Sequence, residues 1–430
     1  MKIIILAGGE GKRMWPIQTD KYLIPFLGQP LISYTLKRIA DGINFDEVII
    51  VTKEASRDQV SQIASSLGIK HKIAIQEEPK GMADALLSAK EDINGEILVI
   101  NAEDVLEERV YQDVLTTASD TQSDVVLSGL QVKSYFPGGY LEVKRDRIQG
   151  IVEKPGKGNE PSDLVKLVVD YFRDGGKLVS YLEEASSEKD DVYEVALAKI
   201  CDSCDVRFIR YNGVWIPLKY PWQILETGAY FLSTLEQNIS PGSKVSDKAI
   251  IEGNVKIEEG AKVFEGAVIK GPCYIGKNVI VGNNTMIRES ILEEGVVTGF
   301  NCDITRSYIG RNSWFHTNYV GDSVIEGDFG MGSGAVLANL RLDDATIRIG
   351  DEKIDTGRTK LGTVAGKGSR VGVNASIMPG VRIGVNCLIG PGVVLHEDVK
   401  DNTRILVKQQ YQVSKRTPSL TSYDQFRKKL

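Results

Sequence analysis

Histidine and cysteine are scarce in this 430-residue sequence, which contains three histidines and five cysteines. The cysteines are odd in number and widely spread, so neither a disulfide framework nor a four-ligand zinc site is expected, and a reducing, cytoplasmic compartment is predicted. Long apolar runs are also missing. The opening MKIIILAGG is too short for a signal peptide, and no later segment is apolar enough to cross a bilayer, so no membrane partner is expected.

An excess of positive charge is absent as well. The chain carries 52 Lys and Arg residues against 58 Asp and Glu, a net charge of −6, and has no long basic run. This balance argues against nucleic acid as the main partner, because phosphate backbones are bound by clustered cations. What the sequence does have is an ordinary mixture of 42% hydrophobic and 26% charged residues, over a length that favours two domains.

Strands and helices alternate in the first half of the chain. The main predicted elements are strands at 3–6, 47–52, 73–76 and 97–101 and helices at 31–40, 55–67, 82–91 and 163–200. The alternation predicts a parallel sheet flanked by helices. Ligands of such sheets bind beyond the carboxyl ends of the strands, where a glycine-rich turn at 8–11 and Asp104 are expected.

The second half follows a different period. Aliphatic residues recur every six positions, at Ile251, Ile257, Val263, Ile269, Ile275, Val281 and Ile287, and again at Val371, Ile377, Ile383, Ile389 and Leu395. This period predicts a hexapeptide β-helix in which each aliphatic side chain points into a prism-shaped core and stacked coils stabilise one another. The charged insertion 339–362 interrupts the period and is expected to protrude.

The turn after the first strand reads LAGGEGKRMWP, from Leu6 to Pro16. Glycines at this place let backbone N–H groups approach phosphate oxygens, and Lys12 and Arg13 add positive charge. The pattern is neither a Walker A motif nor a dinucleotide fingerprint, so by itself it is equally compatible with a plain strand-to-helix turn.

The continuation of this motif resembles the opening signature of sugar-nucleotide pyrophosphorylases. LAGGEGKRMWP is followed by DKYLIPFLGQPLI and then, in the order typical of that family, by QEEPKGMADAL, LVINAEDV, GGYLEV, VEKP and GVWIPLKYPWQILE. Farther on, SWFHTNYVGDSVIEGDFGMGSGAVLANLR resembles the acyltransferase site of the bifunctional N-acetylglucosamine-1-phosphate uridylyltransferase / glucosamine-1-phosphate acetyltransferase family. That family joins the same two domains in the same order.

The resemblance implies an α/β, Rossmann-like nucleotidyltransferase domain at 1–236, a linker at 237–245, a left-handed parallel β-helix of acyltransferase type at 246–404 and a C-terminal tail at 405–430. It implies transfer of a nucleotidyl group from UTP or dTTP to a sugar-1-phosphate, and acetyl transfer from acetyl-CoA to an amino-sugar-1-phosphate, as in UDP-N-acetylglucosamine synthesis. A homotrimer and Mg²⁺ are also implied.

Residue roles in the first domain follow from the same resemblance. Arg13 and Lys21 are the expected catalytic cations, and Asp104 is the expected Mg²⁺ ligand. The nucleotide is expected to contact Leu6, Ala7, Gly8, Gly9, Gly11, Lys12, Gln76 and Gly81, and the sugar phosphate to contact Gly139, Glu153 and Lys154. Several positions depart from the family pattern. Among them, Pro217 stands where an Asp or Asn supplies a second metal contact, Lys166 stands where an Asn contacts the sugar, and Glu103 stands where a Gly usually precedes the metal ligand.

In the second domain the resemblance makes His316 the general base that activates a sugar amine, although a single histidine is more often structural. Tyr319 and Asn339 are expected to bind the sugar, Arg288 its phosphate, and Ser333 to leave room for acetyl-CoA. Two alternatives stay open at this point. One is a single active half, such as an acetyltransferase with a degenerate first domain, and the other is a regulatory subunit that binds a sugar nucleotide without catalysis.

Overall fold

The computed structural model describes residues 1–188, 191–416 and 427–428. Part of the expected C-terminal tail, at 417–426 and 429–430, therefore lies outside the described residues. Within them, no helix has the length and apolar character needed to span a membrane. The chain forms a sheet flanked by helices, followed by a long stack of short parallel strands.

The N-terminal domain is built on a ten-stranded mixed sheet. The strands of this domain are β1 Lys2–Ala7, β2 Pro25–Phe26, β3 Gln29–Pro30, β4 Glu47–Thr52, β5 His71–Ile75, β6 Ile97–Asn101, β7 Asp104–Leu106, β8 Val125–Gln131, β9 Gly139–Lys144, β10 Arg147–Glu153, β11 Leu164–Lys166, β12 Val169–Phe172, β13 Val206–Tyr211 and β14 Trp215–Pro217. The main sheet has the order β10-β9-β11-β8-β12-β6-β1-β4-β5, with β13 beside β8. Its parallel centre, β6-β1-β4-β5, carries the phosphate turn at the end of β1.

Helices cover both sides of this sheet. They are α1 Leu31–Gly42, α2 Arg57–Ser66, α3 Met82–Leu87, α4 Arg109–Thr121, α5 Gly175–Glu184, α6 Val192–Ser203 and α7 Gln223–Ser233, with single 3-10 turns at Lys12–Met14, Lys21–Leu23 and Glu54–Ser56. Ile3, Ile4 and Ile5 in β1 are completely buried, because side chains on both faces of this strand meet helices.

The prediction of helix throughout 163–200 is wrong at its beginning. β11 and β12 occupy 164–166 and 169–172, and helix begins only at Gly175 in α5. Every residue of β12 is buried, and a short run that is buried on both faces lacks the alternation that identifies a strand. The helix predicted at 82–91 is also shorter, since α3 ends at Leu87.

The C-terminal stack has three faces, each a ladder of parallel strands. Face 1 contains Asn238–Ile239, Val255–Ile257, Cys273–Ile275, Ile291–Leu292, Tyr308–Ile309, Val324–Ile325, Val364–Ala365 and Arg382–Ile383. Face 2 contains Ile250–Glu252, Val268–Lys270, Met286–Arg288, Asp303–Thr305, Tyr319–Gly321, Val336–Leu337, Ser376–Ile377 and Val394–Leu395. Face 3 contains Lys244–Val245, Lys262–Val263, Ile280–Val281 and Val297–Thr298, then, across a bridge at Trp314, Gly330–Met331, Arg370–Val371, Leu388–Ile389 and Arg404–Ile405.

The six-residue ladders predicted from the sequence form the core of this prism. From Ile257 to Ile287 and from Val371 to Leu395, the periodic aliphatic residues all belong to one buried cluster. The hexapeptide pattern and the parallel ladders confirm the β-helix fold of the second domain. A single coil could not bury its own inward face, so stacking supplies the stability.

The insertion 339–362 does not simply protrude. Its two strands, Arg348–Ile349 and Ile354–Asp355, pair as an antiparallel hairpin, and Ile347, Ile349 and Leu361 are buried in the cluster that joins the two domains. The expectation of a protruding segment came from its charge, which lies on the solvent side of the hairpin. Its apolar residues instead pack inward.

Face 1 packs directly against the N-terminal domain. Tyr308 and Val324 of face 1 share one buried cluster with Phe26 and with Phe231 of α7. The rings of Phe26 and Tyr308 lie 5.7 Å apart, and the Tyr308 hydroxyl donates to the Pro25 carbonyl at 2.9 Å. The two domains therefore meet through a continuous apolar core that includes the segment following the phosphate turn.

A buried carboxyl lies within this contact. Glu293 accepts a hydrogen bond from the Gly28 backbone N–H at 3.1 Å, and burial raises its pKa to about 7. Arg311 and the backbone donors at Leu27 and Gly28 oppose this rise, whereas Glu294 adds to it. Tyr34, Tyr274 and Tyr308 face the same carboxyl. A proton on Glu293 is therefore held by the folded protein at pH values where the unfolded chain has released it.

Glu293→Gln should reduce the dependence of stability on pH. Between the ordinary glutamate pKa of 4.5 and the folded value of about 7, the folded state binds more protons than the unfolded state. The free energy of unfolding of the native sequence should consequently fall as pH rises through this window, by on the order of 3 kcal/mol. Urea denaturation at pH 5 and pH 8 measures the difference. Glu259→Gln, an exposed change in the same domain, should keep the native slope, and an equal slope in Glu293→Gln would contradict the prediction.

Candidate active sites

A cavity of about 520 Å³ opens at the carboxyl end of β1. All ten residues expected to hold or activate the nucleotide line it: Leu6, Ala7, Gly8, Gly9, Gly11, Lys12, Arg13, Lys21, Gln76 and Gly81. Parallel strands β1, β4 and β6 end at this edge of the sheet, which is where open α/β sheets bind ligands. The structure thus brings residues from three separate sequence motifs around one space.

Close packing explains the glycines of the turn. A Cβ atom on Gly8 would lie 2.0 Å from Oε1 of Gln76, so no side chain fits between this backbone and the glutamine. Gly11 has a φ of +67°, a left-handed conformation that glycine adopts without steric cost. The turn can therefore expose its backbone N–H groups to the cavity.

Gln76 is fixed in place by hydrogen bonds. It is almost fully buried, and its Nε2 donates to Asp84 Oδ2 at 2.7 Å and to the Gly81 carbonyl at 3.2 Å. The bond to Asp84 fixes the orientation of the amide in the cavity wall. The sequence analysis did not identify Asp84, although its position three residues after Gly81 on α3 places it on the same helical turn.

Five cations line the same cavity, and they differ in their partners; Lys80 pairs with Glu78 at 2.6 Å. Lys12 pairs with Glu10 at 2.6 Å, and Lys21 forms an ion pair with Glu103. Arg13 and Lys219 have no carboxylate within ion-pair distance among the residues that the structure describes. Burial lowers the pKa of Lys219, as does nearby Arg13, while Asp104, Glu153 and Glu103 oppose this shift. Two unpaired cations in one cavity favour an anionic ligand.

Lys219 was not among the predicted site residues. It follows β14 by two residues, and its ammonium lies 5.2 Å from the ring of Phe136 and 6.0 Å from that of Trp215. Its backbone N–H donates to Gln223 Oε1 at 2.7 Å, which holds the start of α7 against the site. The only sequence signal was its place inside the closing segment GVWIPLKYPWQILE.

The expected Mg²⁺ ligand, Asp104, lies beside the cavity rather than on its lining. It is buried in β7, and its strand partner in β14 is Pro217, whose ring offers no ligand atom. Burial raises the pKa of Asp104 and of Glu103, and Glu103 is engaged by Lys21. Within the described ranges, no three His, Cys, Asp or Glu side chains group as metal ligands. The protein thus offers one carboxylate beside the cavity, and a Mg²⁺ ion held by it would take its other ligands from substrate phosphates and water.

The residues expected to bind the sugar lie in or directly after β9 and β10, at one edge of the main sheet. Gly139 and Glu153 are paired across β9 and β10, and a Cβ on Gly139 would lie 3.0 Å from Glu153 Oε2. Lys154 follows at a φ of +45° and contacts Glu153 at 3.3 Å. None of the three lines the nucleotide cavity. They form a neighbouring polar edge that includes one exposed cation.

Lys166 has a different environment from the asparagine it replaces. Its side chain is 5% exposed, and its ammonium donates to Asp170 Oδ2 at 2.6 Å and to the Leu167 carbonyl at 3.0 Å. Tyr193 donates to the same carboxylate at 2.8 Å, and Tyr193 and Glu194 line the nucleotide cavity. Lys166 is therefore linked through Asp170 to Tyr193 of the cavity wall, and its ammonium is not presented to a sugar.

A second cavity, of about 680 Å³, lies along face 3 of the β-helix. Its lining is mainly apolar, with Trp314, Met331, Leu388 and Leu406, and it carries the cations Arg370 and Arg404. We call this space the face 3 groove. An apolar groove with arginines suits a ligand that combines aliphatic and phosphate groups. Trp314 was not predicted as a site residue, although an exposed tryptophan in a hexapeptide coil is unusual.

His316 lies at the corner of the prism between this groove and face 2. It lines the groove, its ring is exposed, and its backbone N–H donates to Asn318 Oδ1 at 2.7 Å. Asn318 in turn donates to the carbonyls of Gly332 and Ala335 at 2.9 and 3.0 Å. The corner is thus rigidly held while the imidazole is left accessible.

The other residues expected at the acyl site lie on or beside face 2. Arg288 pairs with Asp303 at 2.8 Å, and the Tyr319 hydroxyl donates to Asn339 Oδ1 at 3.3 Å. Beneath them, a Cβ on Gly321 would lie 2.5 Å from Asn339 Nδ2, so a glycine is required there. Ser333 is exposed, one coil beyond the histidine. Face 2 therefore presents polar groups next to His316, and face 3 presents an apolar groove.

An ion pair below this polar face was missed from the sequence. Arg306 binds Asp322 through two nitrogens, each at 2.8 Å, and Asp322 also accepts a hydrogen bond from the Asn339 amide. The side chain of Asp322 is 2% exposed. The pair fixes the orientation of Asn339, so that its amide donates inward and its oxygen faces Tyr319.

Comparison with known proteins agrees with both halves of this description. A family model described as nucleotidyl transferase matches residues 2–215, and a bacterial transferase hexapeptide model of six repeats matches 254–289. The bifunctional sugar-1-phosphate nucleotidylyltransferase/acetyltransferase of Sulfurisphaera tokodaii is 30% identical over 410 residues, covering 93% of this chain and 98% of the relative. The bifunctional protein GlmU of Methanococcus vannielii is 28% identical over 427 residues, covering 97% and 100%. The chain belongs to the family of bifunctional sugar-1-phosphate nucleotidylyltransferase/acetyltransferases.

Proposed function

We propose that this chain makes a nucleotide sugar by two transfers, one in each domain. The N-terminal domain transfers a nucleotidyl group from UTP or dTTP to a sugar-1-phosphate and releases pyrophosphate. The β-helix transfers an acetyl group from acetyl-CoA to an amino-sugar-1-phosphate, as in the synthesis of UDP-N-acetylglucosamine. The observation that supports this proposal best is the convergence of ten expected nucleotide residues on one cavity with two unpaired cations.

Nucleotidyl transfer needs positioning and charge neutralisation more than it needs covalent help from the protein. The N–H groups of the glycine turn and the guanidinium of Arg13 would hold the triphosphate. The ammonium of Lys21, steadied by Glu103, would lie near the α-phosphate that the sugar phosphate oxygen attacks. Lys154, on the polar edge with Gly139 and Glu153, would receive the sugar phosphate. Pyrophosphate leaves from the end that Arg13 neutralises.

Mg²⁺ bound by Asp104 would supply further neutralisation of the phosphates. Because the protein contributes a single carboxylate, most of its ligands would come from the triphosphate and from water. Lys219 lines the cavity near Asp104, where a second carboxylate is missing, and would add positive charge there instead. The chain can thus compensate for Pro217 with an ammonium.

Acetyl transfer would take place at the corner occupied by His316. The face 3 groove would receive the acyl donor, with Arg370 or Arg404 near its phosphates and Ser333 leaving space for its thioester end. Arg288, Tyr319 and Asn339 would bind the amino-sugar-1-phosphate on face 2. The imidazole would remove a proton from the amine as the amine nitrogen attacks the thioester carbonyl. The C–S bond would then break, and the same proton would pass from the imidazolium to the departing CoA sulfur, so that CoA leaves as the thiol.

The assembly would be a homotrimer in which a neighbouring chain closes the open side of the face 3 groove. Trp314 and Leu406 in this groove are 54% and 62% exposed, a large apolar area for a single chain. A cytoplasmic location suits the substrates and the five free thiols. Light scattering coupled to size exclusion gives the molar mass in solution, and a monomer would oppose the trimer.

The two activities can be tested on the same preparation. Pyrophosphate release is measured with each nucleoside triphosphate and a panel of sugar-1-phosphates, beside CoA release from acetyl-CoA with amino-sugar-1-phosphates. We expect both products, with UTP or dTTP preferred. If no pair of substrates gives pyrophosphate, the proposed nucleotidyl transfer is contradicted. If no acceptor gives CoA release, the proposed acetyl transfer is contradicted.

A further inference from the structure

One carboxylate of the β-helix contacts the backbone of the phosphate segment, defined here as residues 15–28. Glu326 Oε1 accepts hydrogen bonds from the backbone N–H of Gln18 at 2.8 Å, the backbone N–H of Thr19 at 2.7 Å and the Thr19 hydroxyl at 2.9 Å. Its other oxygen accepts from the Lys367 backbone N–H at 2.9 Å. The carboxylate is therefore held by the next coil of the β-helix and binds a loop more than 300 residues earlier in the chain.

Both ends of the phosphate segment are also attached to the β-helix. At its start, Trp15 Nε1 donates to Asp401 Oδ1 at 3.0 Å, and the guanidinium of Arg382 lies 4.6 Å from the tryptophan ring centre. At its end, the Gly28 backbone N–H donates to Glu293 Oε2 at 3.1 Å. The segment thus has contacts to the second domain at its beginning, middle and end.

This segment carries part of the nucleotide site. Arg13 precedes it by two residues, and Lys21 lies two residues after Thr19, in a single 3-10 turn. Gln18 and Thr19 lie outside regular secondary structure, so few local hydrogen bonds fix their backbone. Hydrogen bonds to a charged acceptor are stronger than neutral ones, and three of them converge on one oxygen of Glu326.

We propose that Glu326 of the β-helix is a positioning residue for nucleotidyl transfer, because it holds the loop that places Lys21 against the triphosphate. This proposal rests on the nucleotidyl activity proposed above. It gives the second domain a role in the first reaction, in addition to its own acyl site. A shift of about 1 Å in a positioning element can lower a rate by about 100-fold. The hydrogen bonds by which Glu326 clamps this loop can therefore affect the rate of nucleotidyl transfer.

Glu326→Ala is expected to lower kcat for pyrophosphate release by about 10-fold or more, with a change in KM for the sugar-1-phosphate of less than about twofold. CoA release should stay at the native rate, because the groove and His316 are unaltered. Glu326→Gln keeps an accepting oxygen for the loop and should recover much of the lost rate. The exposed change Glu259→Ala, in the same domain, serves as the matched control.

Hydrogen exchange tests the clamp without reference to catalysis. In Glu326→Ala the amides of the phosphate segment should exchange faster, while those of the β-helix core keep native protection. If the native enzyme yields no pyrophosphate, the proposed function fails, and with it the role of Glu326 in nucleotidyl transfer. Loss of protection in the segment of Glu326→Ala would then still support the clamp itself. Native exchange of this segment in Glu326→Ala would overturn the clamp. A parallel loss of CoA release, core protection and melting temperature would also overturn it, because the residue would then be merely structural.

Discussion

His316→Ala should lower the rate of CoA release by about 10²–10⁴-fold, the usual contribution of a positioned general base. Pyrophosphate release should be unchanged. The imidazole lies at the corner between the face 3 groove and the polar residues of face 2, so it can reach both an acyl donor and an amine acceptor. Its backbone is fixed by Asn318, and removal of the ring should leave that framework intact.

His396→Ala is the matched control for this prediction. It is an exposed histidine of the same β-helix and lies outside the groove, so its replacement should leave CoA release at the native rate. A stopped assay with a thiol reagent follows the free CoA. A decrease of less than about twofold in His316→Ala would contradict the assignment of the base. Equal losses in both variants would point to a general effect on folding.

The sequence predicted the β-helix core well because its physical signal is local and repeated. Ile257, Ile269 and Ile287 each obey a period of six, and each must be apolar for its own coil to pack. The nucleotide cavity was predicted for a related reason. Its longest contiguous piece of lining is the stretch 6–13, where a buried strand is followed directly by glycines and cations.

The contact between the domains could not be predicted in this way. The period of six specifies which side chains point into the prism, but it says nothing about the outward residues of face 1. Tyr308 and Val324 face outward, and only the folded structure shows that they meet Phe26. Glu326 looks like one of many acidic residues in polar turns until its hydrogen bonds to Gln18 and Thr19 are seen.

The residues that depart from the family pattern have different surroundings in the folded protein. Lys166 is buried against Asp170, so this replacement changes the wall of the cavity and not its exposed lining. Glu103 pairs with Lys21 and steadies the cation for which we propose a catalytic role. Pro217 leaves no ligand side chain beside Asp104, where the family has Asp or Asn, and the ammonium of Lys219 lies near the same carboxyl group.

Lys219→Ala should lower kcat/KM for pyrophosphate release by about 10²–10³-fold, the loss typical of one group that stabilises developing charge in a water-poor site. The ammonium is largely buried, lines the nucleotide cavity and has no ion-pair partner among the described residues. Its removal leaves only the other cations of the cavity to oppose the phosphate charge. Lys219→Arg, which keeps the charge, should retain more activity than Lys219→Ala.

Two comparisons separate charge neutralisation from packing. Lys144→Ala removes an exposed lysine of β9 in the same domain and should leave pyrophosphate release unchanged. Lys219→Met keeps most of the aliphatic volume against Phe136 and Trp215 and should be as inactive as Lys219→Ala. Calorimetry with UTP should show weaker binding in both neutral variants, most clearly in EDTA, because without Mg²⁺ the protein cations alone oppose the phosphate charge. Native activity and native UTP affinity in Lys219→Met would rule out the charge role and leave Lys219 as a packing residue.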